Sequence, residues 1–293
     1  MFARIKANIL FHQLLKRPDI DKAYKMVPPT DSWYDTITTV HNSLAEMQKL
    51  PHETLEITSF DGLKLKAIYY PCGSDKTMIW VHGYTSHAQR ESAFPGLFYR
   101  SLGFNVLIPY QRAHALSEGK YISFGALEPR DMMRWVEKVN SITPNGGILL
   151  HGLSMGGGIV LNTADKAMEN VKCIVSDAPS TSITGFFRNV TREFIKKDWE
   201  KVLPFILKRF EKEFGVNPAD FHCDAFVQNS RYPIFLTAGS NEEMDEVLAS
   251  LRQINPQDTE VVILPGCDHG NGMYKQTELY QDALKAFIAK YMS

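Results

Sequence analysis

The spacing of hydrophobic positions changes along this chain. Over LEITSF-DG-LKLKAIYY, apolar and polar residues alternate on both sides of Asp61-Gly62, which predicts two strands joined by a hairpin. Four blocks without alternation follow: TMIWVH (77–82), FNVLIPY (104–110), GILLHG (147–152) and VKCIVSD (171–177). Short continuous runs of β-branched and aliphatic residues predict strands buried on both faces. Between them the apolar spacing lengthens to three and four. In EPRDMMRWVEKV (128–139), Met132, Trp135, Val136 and Val139 share one helical face. Alternating strands and helices predict an α/β fold, a mostly parallel sheet with helices on both faces.

The alternation stops after Asp177. From about Ile183 to Arg231 no strand signal occurs, and GFFRNVTREFIKKDWEKVLPFILKRFEKEFG predicts two helices broken at Pro204. Strands resume with YPIFLTAG (232–239) and TEVVILPG (259–266), making eight, and ELYQDALKAFIAKYM closes the chain as a helix. The expected organisation is a helical extension over 1–50, an α/β core over 51–182 and 232–293, and a helical insertion over 183–231. In the extension, Phe2, Ile5, Ile9, Leu10 and Leu14 recur at helical spacing and read as the docked face of a surface helix, with a membrane-surface helix as the alternative. Its apolar run is broken at His12 and Gln13, too short for a signal-peptide core or a membrane span.

Composition narrows the function classes. With 44% hydrophobic and 22% charged residues, the chain has the profile of a soluble enzyme. A formal net charge of -1 gives no electrostatic case for nucleic acid or an acidic membrane. Cys72, Cys173, Cys223 and Cys267 are scattered without metal-ligand spacing. They read as reduced thiols of a cytoplasmic protein.

The candidate chemistry begins at ILLHGLSMGGG (148–158), where a predicted strand runs into Gly152-Leu153-Ser154-Met155-Gly156 and then a helical stretch. A strand–turn–helix around G-x-S-x-G lifts a serine into a strained, exposed position, and only small residues fit two places to either side. Ser154 is therefore the candidate nucleophile, and the Met155 N–H at the helix start is a candidate oxyanion donor. The imidazole that activates a serine falls to His269, in the loop LPGCDHGNGMY after the last strand. His151 reads as packing beside the elbow and His87 as a loop residue. In TMIWVHGYTSHAQ, the loop after the third strand, the Tyr84 N–H is the second oxyanion candidate and His82 a brace.

VHGY (81–84), RAHALSEGKYISFG (112–125), HGLSMGGG (151–158) and DHGN (268–271), in that order, resemble the α/β-hydrolase fold serine hydrolases. The resemblance spans roughly 54–290 and points to the bacterial branch that holds acyl-ester hydrolases, cinnamoyl and acetyl esterases and monoacylglycerol lipases. It implies a Ser-His-acid triad needing no metal or organic cofactor, and makes the 183–231 insertion a lid. Two departures stand out. Arg112-Ala113-His114-Ala115 replaces the family's Arg-Gly-His-Gly, which is expected to alter that loop. Gly239-Ser240-Asn241-Glu242 replaces Gly-x-x-Asp, which makes Glu242 the acid, with Glu243, Asp245 and Asp177 as competitors.

The insertion is dense in aromatics. Most of these must dock it on the core, but Phe186 and Phe187 are expected to wall an apolar substrate site. The expected activity is hydrolysis of small acyl or aryl esters. An amidase, peptidase or thioesterase with the same triad, and an idle binding protein, are the alternatives. The N-terminal helices also offer a surface for a homodimer.

Overall fold

The computed structural model describes residues 2–19, 31 and 33–292. Eight strands form one sheet: β1 (Glu53–Thr58), β2 (Lys64–Tyr70), β3 (Thr77–Val81), β4 (Asn105–Pro109), β5 (Ile148–Leu153), β6 (Val171–Asp177), β7 (Ile234–Gly239) and β8 (Thr259–Leu264). Their order is β1-β2-β4-β3-β5-β6-β7-β8. β1 and β2 pair antiparallel, as do β2 and β4, and every later pair is parallel. The hairpin turns at Gly62, whose φ of 91° favours glycine.

The unalternated strands are buried on both faces because helices cover both. From β3, Met78 and Trp80 enter one core layer while Ile79 and Val81 enter the other. One layer is closed by α2 (Ile37–Lys49), α3 (Ala88–Ser101) and α11 (Thr277–Tyr291), through residues such as Met47, Tyr99 and Phe287. The other is closed by α1 (Phe2–Leu15), α4 (Glu128–Ile142), α5 (Met155–Leu161), α6 (Ile183–Ile195), α7 (Trp199–Phe214), α8 (Cys223–Gln228) and α9 (Asp245–Ile254). The short α10 (Gly272–Lys275) precedes α11. The chain leaves β3 toward β4 on one side and lies beside β5 on the other. The crevice where sites form in such sheets therefore opens at the carboxyl ends of β3 and β5.

Two expectations are corrected. The break between α6 and α7 falls at 196–198, where Lys196 and Asp198 take φ of 56° and 63°, and Pro204 lies inside α7. Its missing N–H costs a bond only to Glu200, in the exposed first turn. In α1, Leu10 and Leu14 are buried with Ala7, Phe11 and Leu15, but Phe2, Ile5 and Ile9 are 78%, 47% and 53% exposed. The residues at helical spacing thus lie on two faces.

The Arg112-Ala113-His114-Ala115 loop has positive φ at both alanines. Ala113 and Ala115 hold φ of 60° and 41°, so the alanines keep left-handed backbone that glycine adopts without strain. The loop is pinned from below. Arg112, buried, donates to Asp131 from Nε at 2.7 Å and to Asp61 from Nη1 at 2.9 Å.

Candidate active site

Ser154 sits where β5 turns into α5, with φ 58° and ψ −117°. Three contacts fix this strained turn. The Ser154 N–H donates to the Asp177 carbonyl at 2.8 Å, and its own carbonyl accepts from Gly158 and Ser180. The surrounding glycines are steric necessities. A Cβ on Gly156 would lie 1.8 Å from the Val81 carbonyl oxygen, and one on Gly152 would lie 2.1 Å from that of Gly156.

β7 and β8 are parallel neighbours, so the loops leaving their carboxyl ends lie side by side. The Asn241 N–H donates to the Cys267 carbonyl at 3.0 Å and ties them together. That contact brings Glu242 to His269, whose Nδ1–H donates to Glu242 Oε2 at 2.5 Å. The other carboxylate oxygen accepts the Gly239 N–H at 2.8 Å, which fixes the carboxylate from behind. With Nδ1 protonated, Nε2 keeps its lone pair and accepts the Ser154 hydroxyl at 2.8 Å. The Glu242 side chain is 7% exposed and that of His269 58%, so the carboxyl is shielded while the imidazole faces solvent. The hydrogen bond to Glu242 raises the His269 pKa, against a smaller opposing effect of burial.

The competing acids lie elsewhere. Glu243 and Asp245 are exposed, the latter at the start of α9. Asp177 is buried and accepts from the Tyr280 hydroxyl at 2.9 Å, and burial pushes its pKa up to about 7. Tyr280 and Tyr99 bracket the two nitrogens of His151, which burial pushes down to about 3. His151 is thus a neutral packing residue behind the elbow.

The loop after β3 meets Ser154 from the other side. The Gln111 N–H donates to His82 Nε2 at 3.2 Å, so the proton of this buried neutral imidazole sits on Nδ1 and is donated to the Gly83 carbonyl at 2.8 Å. In a trans peptide the C=O and the following N–H point opposite ways, so the Tyr84 N–H is directed away from His82. The Gly83 N–H donates to both oxygens of Glu91, each at 3.1 Å, and the Trp80 indole N–H donates to the same carboxyl at 2.9 Å. Burial raises the Glu91 pKa to about 7.

Beside Ser154 opens a cavity of about 350 Å³. Leu153, Met273, Tyr274 and Pro95 give it an apolar surface, and Glu91 and Asp177 supply two carboxyl groups. One wall is Trp33, Ile37 and Val40, at and before the start of α2. Trp33 meets Tyr274 edge-on at 5.4 Å. The packing does not bring Phe186 and Phe187 to this cavity. Phe187 is fully buried against Phe210, and Phe186 stacks on Phe124 at 3.8 Å and meets Tyr84 edge-on at 5.7 Å.

Sequence reasoning missed both Glu91 and the α2 wall. A glutamate in a helix's first turn is ordinarily explained by the helix dipole alone, so Glu91 carried no separate signal. The three apolar residues of the wall lie well over a hundred positions from Ser154 in sequence. Among the described residues no group of three His, Cys, Asp or Glu side chains could hold a metal ion.

The sequence profile of the family described as serine aminopeptidase, S33, matches residues 73–223, which hold the β3 loop, the Ser154 elbow and most of the insertion. The chain belongs to this α/β-hydrolase family. The Pyrococcus furiosus esterase Pf2001 superposes with a TM-score of 0.68 at 24% identity, over 85% of this chain and 94% of that one. Another crystal form of it reaches 26% identity and a TM-score of 0.65, over 92% and 99%. Est1E of Butyrivibrio proteoclasticus, solved with ferulic acid bound, shares the fold with a TM-score of 0.63 at 18% identity, over 81% and 98%. YqkD of Bacillus subtilis is 33% identical over 129 residues, which span 43% of this chain and only 40% of that protein. Among the described residues of this hydrolase no helix is long and apolar enough to cross a membrane.

Proposed function

We propose that the protein is a serine carboxylesterase that cleaves small acyl or aryl esters through a covalent acyl-enzyme. The relay from Ser154 through His269 to Glu242, with distances of 2.8 and 2.5 Å, carries this reading. Ser154 Oγ attacks the ester carbonyl as its proton passes to His269 Nε2, and Glu242 supports the resulting imidazolium. The amides of Tyr84 and Met155 receive the oxyanion. His269 then protonates the departing alcohol, and a water activated by the same imidazole releases the acid and restores Ser154. The apolar cavity lined by α2, Leu153 and Met273 takes the acyl or aryl group. The insertion over 183–231 acts as a cap on the Tyr84 side, supported by the Phe186–Phe124 stack.

A second reading, hydrolysis of amides whose substrate carries a free amine, is favoured by one observation. Glu91 and Asp177 present two carboxyl groups inside the same cavity. The experiment is intact-mass labelling with a fluorophosphonate, comparing wild type with Ser154→Ala, followed by p-nitrophenyl esters and aminoacyl p-nitroanilides. Single-site labelling lost in the variant, with ester turnover well above anilide turnover, is the expected result. Faster anilide turnover selects the second reading, and an unlabelled, folded wild type removes both.

A further inference from the structure

Helix α1 is apolar on two faces. Ala7, Leu10, Phe11, Leu14 and Leu15 are buried against the body of the protein, while Phe2, Ile5 and Ile9 stand outward. An apolar helix face is ordinarily buried, yet the second one of this helix, bordered by exposed Arg4, Lys6 and Asn8, is in water. The neighbouring elements extend it. Phe205 on α7 is 42% exposed and shares a surface groove with Arg4 and Asn8 of α1, and Phe194 on α6 is 62% exposed. Half of the ten exposed large hydrophobic residues of the described structure therefore lie on these three helices.

The segments that supply this face are basic, although the groove also carries Glu211 and Glu213, the latter paired with Arg209. Residues 2–19 and 183–215 carry twelve Lys or Arg and six Asp or Glu, a net charge of +6 in a chain whose total is -1. The cations are set among the apolar groups. On α7, Lys201, Phe205, Lys208 and Lys212 are all exposed and recur at four, three and four residues. On α1, exposed Arg4 and Lys6 flank Ile5. Exposed aromatic and aliphatic side chains bordered by Lys and Arg are the makings of a helix that lies in a lipid interface. A second copy of the chain is disfavoured as the occupant, because a two-fold contact would set these cations against themselves.

We propose that the face formed by α1 and α7 docks on a bilayer surface containing anionic lipid. Ile5, Ile9 and Phe205 enter the headgroup boundary, and Arg4, Lys208 and Lys212 meet lipid phosphates. The face is joined to the candidate site by one contact, since the Tyr84 hydroxyl donates to the Leu14 carbonyl at the end of α1. Docking of this kind leaves the chain peripheral to the bilayer.

The test is co-sedimentation of the full chain with vesicles of phosphatidylcholine alone, or mixed with phosphatidylglycerol, at low and high salt. Three proteins are compared: wild type, Ile5→Asp/Ile9→Asp and Lys208→Glu/Lys212→Glu. All four substituted side chains are exposed, and circular dichroism checks that each variant is folded. The expected result is binding at least tenfold stronger to the mixed vesicles, weakened by salt and lost in both variants. Equal binding to both vesicle types, or none, overturns the proposal. So does binding that survives Ile5→Asp/Ile9→Asp, which reduces the face to a polyanion site. A wild-type dimer in light scattering that Ile5→Asp/Ile9→Asp dissociates also overturns it.

Discussion

The imidazole of His82 holds the Gly83 carbonyl at 2.8 Å and so sets the direction of the next amide, that of Tyr84. The ring is held in turn by the Gln111 N–H and cannot adopt the other tautomer without leaving two donors face to face. A histidine outside the relay thereby aims a proposed oxyanion donor.

His82→Phe keeps the bulk of the ring but frees the Gly83–Tyr84 peptide to rotate. Loss of one oxyanion donor costs on the order of 10²–10³ in kcat. The expected outcome in steady-state ester kinetics is a kcat reduced by about 10² or more, with KM nearly unchanged. A proportionate rise in KM would instead mean that the loop mainly shapes the cavity.

The relay predicts a pH profile. His269 accepts the serine proton only when neutral, and its pKa is raised above the usual 6.5 by the hydrogen bond to Glu242. Activity is therefore low below that pKa and rises as pH passes through it. In Glu242→Gln the imidazolium loses its carboxylate, so the midpoint of kcat/KM against pH moves downward while the plateau falls by about 10³–10⁴. An unmoved midpoint would assign the limb to another group.

Ala113 and Ala115 carry left-handed backbone that costs an alanine roughly 1–2 kcal/mol and a glycine almost nothing. Glycine also widens the unfolded ensemble, which takes back about 0.4–1 kcal/mol. Ala113→Gly and Ala115→Gly are expected to stabilise by a net amount of about 0.5–1 kcal/mol each. Urea unfolding with unchanged m-value measures this, and destabilisation would show that the methyl groups pack better than the strain costs.

The α2 wall predicts substrate range. Trimming Ile37 and Val40 to alanine lengthens the cavity, and each further methylene that fits is worth about 0.8 kcal/mol, or roughly fourfold in kcat/KM. The preferred acyl length in a p-nitrophenyl ester series should move upward in Ile37→Ala/Val40→Ala. Phe187→Ala empties a fully buried position and should lower stability by about 3–5 kcal/mol while leaving the length preference in place.

Local pattern determined much of this protein. The strands at 77–82, 104–110, 147–152, 171–177, 232–239 and 259–266 are legible because each apolar run is short and bounded by turn residues. Ser154 is legible because a tight elbow demands glycines at fixed offsets, a constraint written within a few residues. His269 is legible from its loop after the last strand and Glu242 only through the family resemblance, and β7 and β8, as parallel neighbours, bring those two loops together. What only the tertiary structure decided are contacts between elements remote in sequence. α2 rather than the insertion walls the cavity, and the insertion's Phe187 turns into the core. Glu91 is drawn beneath Gly83, and Ile5 and Ile9 are left outside on a helix whose other face is fully packed. Periodicity says that a residue belongs to a face, but which of two apolar faces is covered depends on what else the chain folds against it.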